Sequence, residues 1–275
     1  MLAKLMKYEI KASGRILLPM FGLSLVVSLL LRLLLAVVPH IWEPLGNILL
    51  QLSSILGGLL PLLVFVLAFV FVVARFYQAL ATDEAYLSFT LPVSVNAHIA
   101  ARLVVALLYS LAAIVVAALD ALIFIPGVAG TLGRVFSSLT LPASFYWQAG
   151  LLLAGFILVA LVNSLLHLYA AIAIGTQFGR HRVVGGVVGY LVLNIIASIF
   201  SMVLFALPSF GVLQDNSEFE QMVLTLVNSN SPAAVAQGVL SVVSLAFAAV
   251  ALVTLVISAI YYGITLYLFS KKLNL

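Results

Sequence analysis

Six apolar runs, each long enough to cross a lipid bilayer, succeed one another along this chain with only short polar breaks between them. They cover roughly residues 16–38, 49–74, 97–124, 147–175, 183–208 and 236–268, and a helix needs about 20 mainly apolar residues for one crossing. Only 7% of the residues are charged and 65% are hydrophobic, too few polar side chains to clothe a water-soluble domain. The runs mix Leu, Val, Ala and Ile without strict alternation, which favours helices over a lipid-facing barrel. The expectation is an all-α, polytopic membrane protein of six transmembrane helices. The sixth run exceeds one crossing by about ten residues, so it tilts, breaks or projects from the membrane.

Basic residues set the orientation. With six spans both termini share a side, and that side holds Lys4, Lys7, Lys11, Arg15, Arg75, Arg102, Arg180, Arg182, Lys271 and Lys272. The opposite side holds only Arg32 and Arg134, together with Glu43, Asp215, Glu218 and Glu220. Both termini are therefore expected in the cytosol. The net charge of +4 follows from this topology and calls for no nucleic-acid partner. The chain has no cysteine, so disulfides and thiol chemistry are excluded. The first apolar run is too long for a signal-peptide core and lacks a small-x-small cleavage site before Pro39, so it reads as a retained span.

Residues 1–15 precede the first span. At 100° per residue Lys4, Lys7, Lys11 and Arg15 share one face, and Leu2, Leu5, Met6 and Ile10 the other, the pattern of an amphipathic helix at the membrane surface. Glu9 lies within the apolar face, where it either reaches a headgroup or pairs with a cytosolic arginine such as Arg75 or Arg180. Trp42, Tyr146 and Trp147 fit interfacial anchors. Gly57, Gly58 and Pro61 point to a close helix contact or a kink in span two, followed by Phe65 and Phe69. Asp120, about 22 residues into span three, reads as a carboxylate exposed at the external interface rather than a buried ion site. Asn163 and His167 share a face of span four and read as interhelical hydrogen-bonding groups. Gly185 and Gly189 form a small-xxx-small pair at the start of span five, which also carries Asn194. Phe65, Phe69, Asn163, His167, Gly185, Gly189 and Asn194 are thus candidates for helix packing or for lining a path. In the external segment 209–235, Ser217 and Glu220 fit a capping box opening a short helix over 218–227.

The sequence contains no phosphate-binding GxxxxGK[ST], no HExxH, no EF-hand loop and no GxSxG. Its eight acids and four histidines are spread over six spans, with no catalytic or metal-ligating cluster. The expectation is a non-enzymatic protein with no cofactor of its own.

The most informative polar segment is 75–96, RFYQALATDEAYLSFTLPVSVN. Thr82 can cap a helix whose first turn carries Asp83 and Glu84, and Pro92 ends it. Tyr86, Leu87, Phe89 and Leu91 would then form an apolar cytosolic surface that needs a partner. With the basic N-terminus and six spans, this segment resembles that of a type-2 ABC-transporter permease, especially the small stand-alone export permeases of Gram-positive bacteria. The resemblance covers the architecture of nearly the whole chain and is specific over roughly 75–102. It departs from the family pattern at Ala85, where many relatives carry glycine, and in lacking a clear pair of apolar re-entrant helices between spans five and six.

The resemblance implies that Asp83, Glu84, Tyr86, Leu87, Phe89, Leu91 and Pro92 form a coupling helix docking on a separate ABC ATPase, which holds the ATP and magnesium. Residues 1–15, with Lys4, Lys7, Glu9 and Lys11, would be the connecting helix, and 16–275 the transmembrane domain. It further implies a second permease copy, identical or similar, in the cytoplasmic membrane of a bacterial cell. The cargo would be amphiphilic: an antimicrobial peptide, a lipid-like compound or a hydrophobic drug. A membrane anchor or sensor that binds a cytosolic partner without transport, and an ion-coupled carrier, are the alternative readings.

The charge bias is directly testable because the chain lacks cysteine. With single cysteines introduced as Ser88→Cys and Asn216→Cys, an impermeant thiol reagent on intact cells should label position 216 alone. Labelling at 88 instead would reverse the topology.

Overall fold

The computed structural model describes residues 2–37, 43–81, 94–124, 130–131, 133–134, 141–212 and 232–272. Among these the regular structure is entirely helical, in six long helices: α1 (Leu2–Val37), α2 (Glu43–Ala81), α3 (Val95–Phe124), α4 (Ala143–Gly175), α5 (Arg182–Val212) and α6 (Pro232–Lys272). A six-residue 3-10 turn, Thr176–His181, joins α4 to α5. Each of the six is long and apolar enough to cross a membrane, which makes this a candidate multi-pass membrane protein. Helices suit that solvent because every backbone N–H and C=O is satisfied within its own segment.

Two of the helices are much longer than one crossing needs. Residues 2–15 are not set off as a separate helix, since α1 runs unbroken for 36 residues with Pro19 inside it. The 41 residues of α6 likewise form one unbroken helix, which excludes a break in the long sixth run and leaves tilt or extension. At 1.5 Å per residue these helices measure about 54 and 61 Å, well beyond a hydrocarbon core of about 30 Å. Of the segment expected to couple to a partner, 75–96, residues 82–93 lie outside the described residues, as do residues 213–231 of the segment 209–235 expected to be external.

The chain divides into two compact units, Met1–Phe136 and Ser137–Leu275. In the first, α3 packs against both α1 and α2, which also touch each other. In the second, α4 packs against both α5 and α6. Small and apolar residues at helical spacing make these contacts possible. On α1 the buried face is Ser13, Leu17, Phe21, Ser24 and Ser28; on α2 it is Val64, Ala68, Val72, Phe76 and Leu80. These steps of three and four residues form one stripe along each helix. Gly57 of α2 lies directly against the Phe124 ring of α3. The other faces carry exposed Leu, Ile, Val and Phe, as helices in lipid do.

The α4–α5 connection depends on two glycines. Gly179 adopts φ 48°, a left-handed conformation that costs glycine little, and it turns the chain back. Gly175 stands at the closest approach: an added Cβ would lie 2.5 Å from the Arg182 carbonyl and 2.7 Å from the Gly186 nitrogen. Gly175→Ala should therefore destabilise the protein by roughly 1–3 kcal/mol, the usual cost of overpacking. Gly58 of α2 has open space around its Cα, so Gly58→Ala should be neutral or gain up to about 1 kcal/mol. Unfolding in detergent ranks the two variants, and equal stability would refute the close approach at Gly175.

Candidate functional site

Few polar side chains are buried in a chain this apolar, and they gather at particular levels of each unit. In the first unit, three ties hold α1. Near its N-terminus the Glu9 carboxylate lies 3.5 Å from the Arg75 guanidinium of α2, the first of the two arginine partners considered from the sequence. One residue on, the Tyr109 hydroxyl of α3 donates to the Ile10 carbonyl at 2.8 Å. Toward the far end, Ser28 Oγ donates to Asp120 Oδ1 at 2.7 Å. The α1 residues increase with the α3 residues across these contacts, so α1 and α3 run parallel while α2 returns between them.

Asp120 corrects the sequence-based expectation. It is fully buried rather than exposed at an interface, because Ser28, on a different helix, supplies a donor to one carboxyl oxygen. The other oxygen, Oδ2, is buried with no hydrogen-bond partner among the described residues, as is Ser110 Oγ on the same helix. A buried carboxyl group is costly unless its polar atoms are paired.

In the second unit α4 carries the polar groups. Ser258 Oγ of α6 donates to Asn163 Oδ1 at 3.1 Å. One turn further, His167 Nε2 lies 3.3 Å from the Tyr190 carbonyl of α5, and since a carbonyl only accepts, the Nε2–H tautomer makes this bond. The imidazole is stacked between two phenol rings, Tyr190 at 4.4 Å and Tyr261 at 4.9 Å, both within 12° of parallel. Three helices thus meet at one histidine. Asn163 and His167 occupy successive turns of α4, as their spacing implied, and both bridge to neighbouring helices.

The other candidates are placed as follows. Lys4, Lys7 and Lys11 are exposed, and Glu9 is half-buried. Phe65 and Phe69 are half-buried on α2 and stack on each other at 6.1 Å. Gly185 lies under the Phe178 ring, and an added Cβ on Gly189 would come 3.0 Å from Ile174; both glycines are buried. Asn194 is exposed on the outer face of α5. Asp83, Glu84, Tyr86, Leu87, Phe89, Leu91 and Pro92 lie outside the described residues. Sequence reasoning missed Ser28, Tyr109, Ser258 and Tyr261. One signal was available for Ser28, since Ser13, Ser24 and Ser28 fall on a single face of α1.

Between α4 and α6 there is a half-open cleft of about 200 Å³. Phe156, Val159, Phe247 and Val250 form its apolar walls, and Asn163, Ser164 and Thr254 contribute its polar groups. No group of three or more His, Cys, Asp or Glu that could hold a metal occurs among the described residues. Comparison with known proteins finds no matching family model, no matching curated protein and no matching solved structure.

The Ser28–Asp120 pair separates two roles for the carboxyl group. Asp120→Asn retains an acceptor for Ser28 and should unfold no earlier than the parent. Asp120→Leu removes it and should lose about 1 kcal/mol, the typical worth of an interhelical hydrogen bond in a membrane. If Asn proves as damaging as Leu in the same unfolding measurement, the acid itself is required and the bond is not its purpose.

Proposed function

We propose that this chain is the permease subunit of an ATP-driven exporter, with both termini in the cytosol of a bacterial cell. Two such subunits, identical or similar, would enclose the substrate path. A separate ABC ATPase would dock on residues 83–93 and supply the ATP and magnesium. The observation that carries this reading is the attachment of the N-terminal segment to the stem of the docking loop. Arg75 lies one and a half turns before the end of α2, and Glu9 holds it at 3.5 Å.

Force applied at 83–93 has a stiff route inward. Leu80 and Phe76, immediately before the loop, are each 1% exposed, and the buried stripe continues through Val72, Ala68 and Val64. A displacement of the loop would therefore move α2 against α3. It would carry α1 along through the Glu9–Arg75 pair and the Tyr109–Ile10 bond. ATP-driven closure of the two ATPases would in this way rock the helices between inward- and outward-facing states. The exposed lysines Lys4, Lys7 and Lys11 would meanwhile rest against anionic headgroups.

The decisive variant is Phe89→Asp with Leu91→Asp, which would place unpaired carboxylates in a dry groove at a cost of several kcal/mol. The subunit should still reach the membrane, while the ATPase no longer co-purifies and transport is lost. Asp83→Asn with Glu84→Gln should do less. Full transport and retained ATPase in the first variant would reject the docking assignment.

Ion-coupled carriage is a second reading, favoured by the buried carboxyl of Asp120, since an ionisable group inside a span is a natural coupling site. Under it, transport survives ATP depletion, collapses with an ionophore and is abolished in Asp120→Asn.

A further inference from the structure

The cleft between α4 and α6 has a specific hydrogen-bonding character. Ser164 commits its one hydroxyl proton to the Ala160 carbonyl at 2.7 Å, and Thr254 commits its own to the Val250 carbonyl at 2.7 Å. Each hydroxyl is left with lone pairs only, so toward a ligand both act as acceptors. Asn163 is the reverse case. Its Oδ1 is occupied by Ser258, and its amide protons make no hydrogen bond among the described residues, so it faces a ligand as a donor. All three side chains line the same cleft.

The cleft is also confined. At one end Phe247 lies 6.2 Å from Phe156, ring centre to ring centre, and an added Cβ on Gly155 would be 3.5 Å from the same Phe247 ring. At the other end the Asn163–Ser258 bond holds α4 and α6 together. Between these ties stand Ala160 and Ala251, whose short side chains leave the space open. About 200 Å³ is below the roughly 300–1,000 Å³ of a pocket that engulfs a drug-sized ligand. It suits one segment of a larger amphiphile whose remainder lies in the surrounding lipid.

We infer that this cleft binds an amphiphile through a secondary amide embedded in an apolar chain, as in an N-acylated or peptidic compound. The amide carbonyl accepts from Asn163 Nδ2, and its N–H donates to Ser164 Oγ or Thr254 Oγ1. A secondary amide carries this acceptor and donor on adjacent positions, whereas an ester or ether offers acceptors alone. The ester-linked lipids of a bilayer therefore leave both hydroxyl acceptors of the cleft unmatched. As the cargo site of an exporter, the cleft rests on the permease reading; as a binding site, it does not.

The test uses the full chain in phosphatidylcholine nanodiscs, without any ATPase. The probes are a diazirine-bearing N-alkyl fatty amide and its isosteric ester. The amide should crosslink to peptides containing 156–164 and 247–254, with the ester about tenfold weaker, the equivalent of one net hydrogen bond. Ser164→Ala with Thr254→Val, which leaves the Asn163–Ser258 tie intact, should erase the amide's advantage and spare ester labelling. Ala251→Phe should abolish labelling by both probes, with the elution profile and unfolding temperature showing that each variant is folded. Equal labelling by amide and ester in the parent, or a preference that survives the double variant, would overturn the proposal. So would a crosslink from 156–164 to a second copy of the chain, which would make the cleft a helix interface. Amide binding by a chain that never co-purifies with an ATPase would leave the site standing and remove the exporter. The converse pattern would leave the exporter and remove the site.

Discussion

Lipid tails are as apolar as leucine, so helices in hydrocarbon gain nothing by hiding leucines from their solvent. Association falls to close van der Waals fit and to hydrogen bonds between helices. That constraint accounts for where the few polar and small residues of this chain lie. The described part of α5 shows the limiting case. Its buried positions are Gly185, Gly189 and Leu193, a narrow stripe against α4, while most of its other residues remain exposed. Gly175, Gly186 and Gly189 supply the close fit there, and the Tyr190–His167–Tyr261 stack adds the directional contacts. In the first unit, hydrogen bonds play the corresponding part at the two ends of α1, with Leu17 and Phe21 buried between them.

The spacing of the α1 ties has a mechanical consequence. Ile10 and Ser28 are 18 residues apart, or about 27 Å of helix, and both bond to α3. A rod pinned at two points to one neighbour cannot tilt against it without breaking a hydrogen bond. It can still slide or turn with that neighbour as a body. The ion pair with Arg75 adds a third point, on α2. The pair is partly exposed and therefore weak on its own, so it orients the N-terminal segment more than it stabilises the unit. In the proposed transport cycle, α1, α2 and α3 would respond to a push on the loop as one lever.

Much of this was legible in the sequence, and what was not shares a physical cause. The six helices follow from run length alone. Glu9 announced its need for a cation because it sits in an apolar face, and Arg75 was one of two arginines within reach. Asn163 and His167 could be read as bridging groups because hydrocarbon offers them no water. Their partners were not readable: Ser258 and Tyr261 lie 95 and 94 residues further along the chain, and no local periodicity encodes such a register. Asp120 was misread for the same reason. Its depth in the span was countable from the sequence, but the Ser28 hydroxyl that makes burial tolerable is 92 residues earlier. The amphipathic stretch expected over 1–15 is continuous with the first span, since α1 runs unbroken through residue 15. A change from amphipathic to uniformly apolar composition marks where the environment of a helix changes, and the backbone hydrogen bonds need not break there.

The register between α4 and α6 also explains why a cleft exists at all. Phe156 meets Phe247, Asn163 meets Ser258, and His167 meets Tyr261, so the two helices run parallel and are held at three levels. Parallel neighbours that are not consecutive need a returning helix, and α5 supplies it. Between the first two of these levels the residues lining the cleft include Ala160 and Ala251, and small residues would normally let two helices close up. The ring pair at one end works against closure, because aromatic rings in contact keep their centres about 4.5–7 Å apart. The helices are thus held apart by bulk at one end and joined by a hydrogen bond at the other. Alanines in the middle of such an arrangement leave a gap. An empty gap in the membrane forfeits dispersion contacts along its whole lining, so some chain will occupy it. The polar groups at its floor determine which chain fits best.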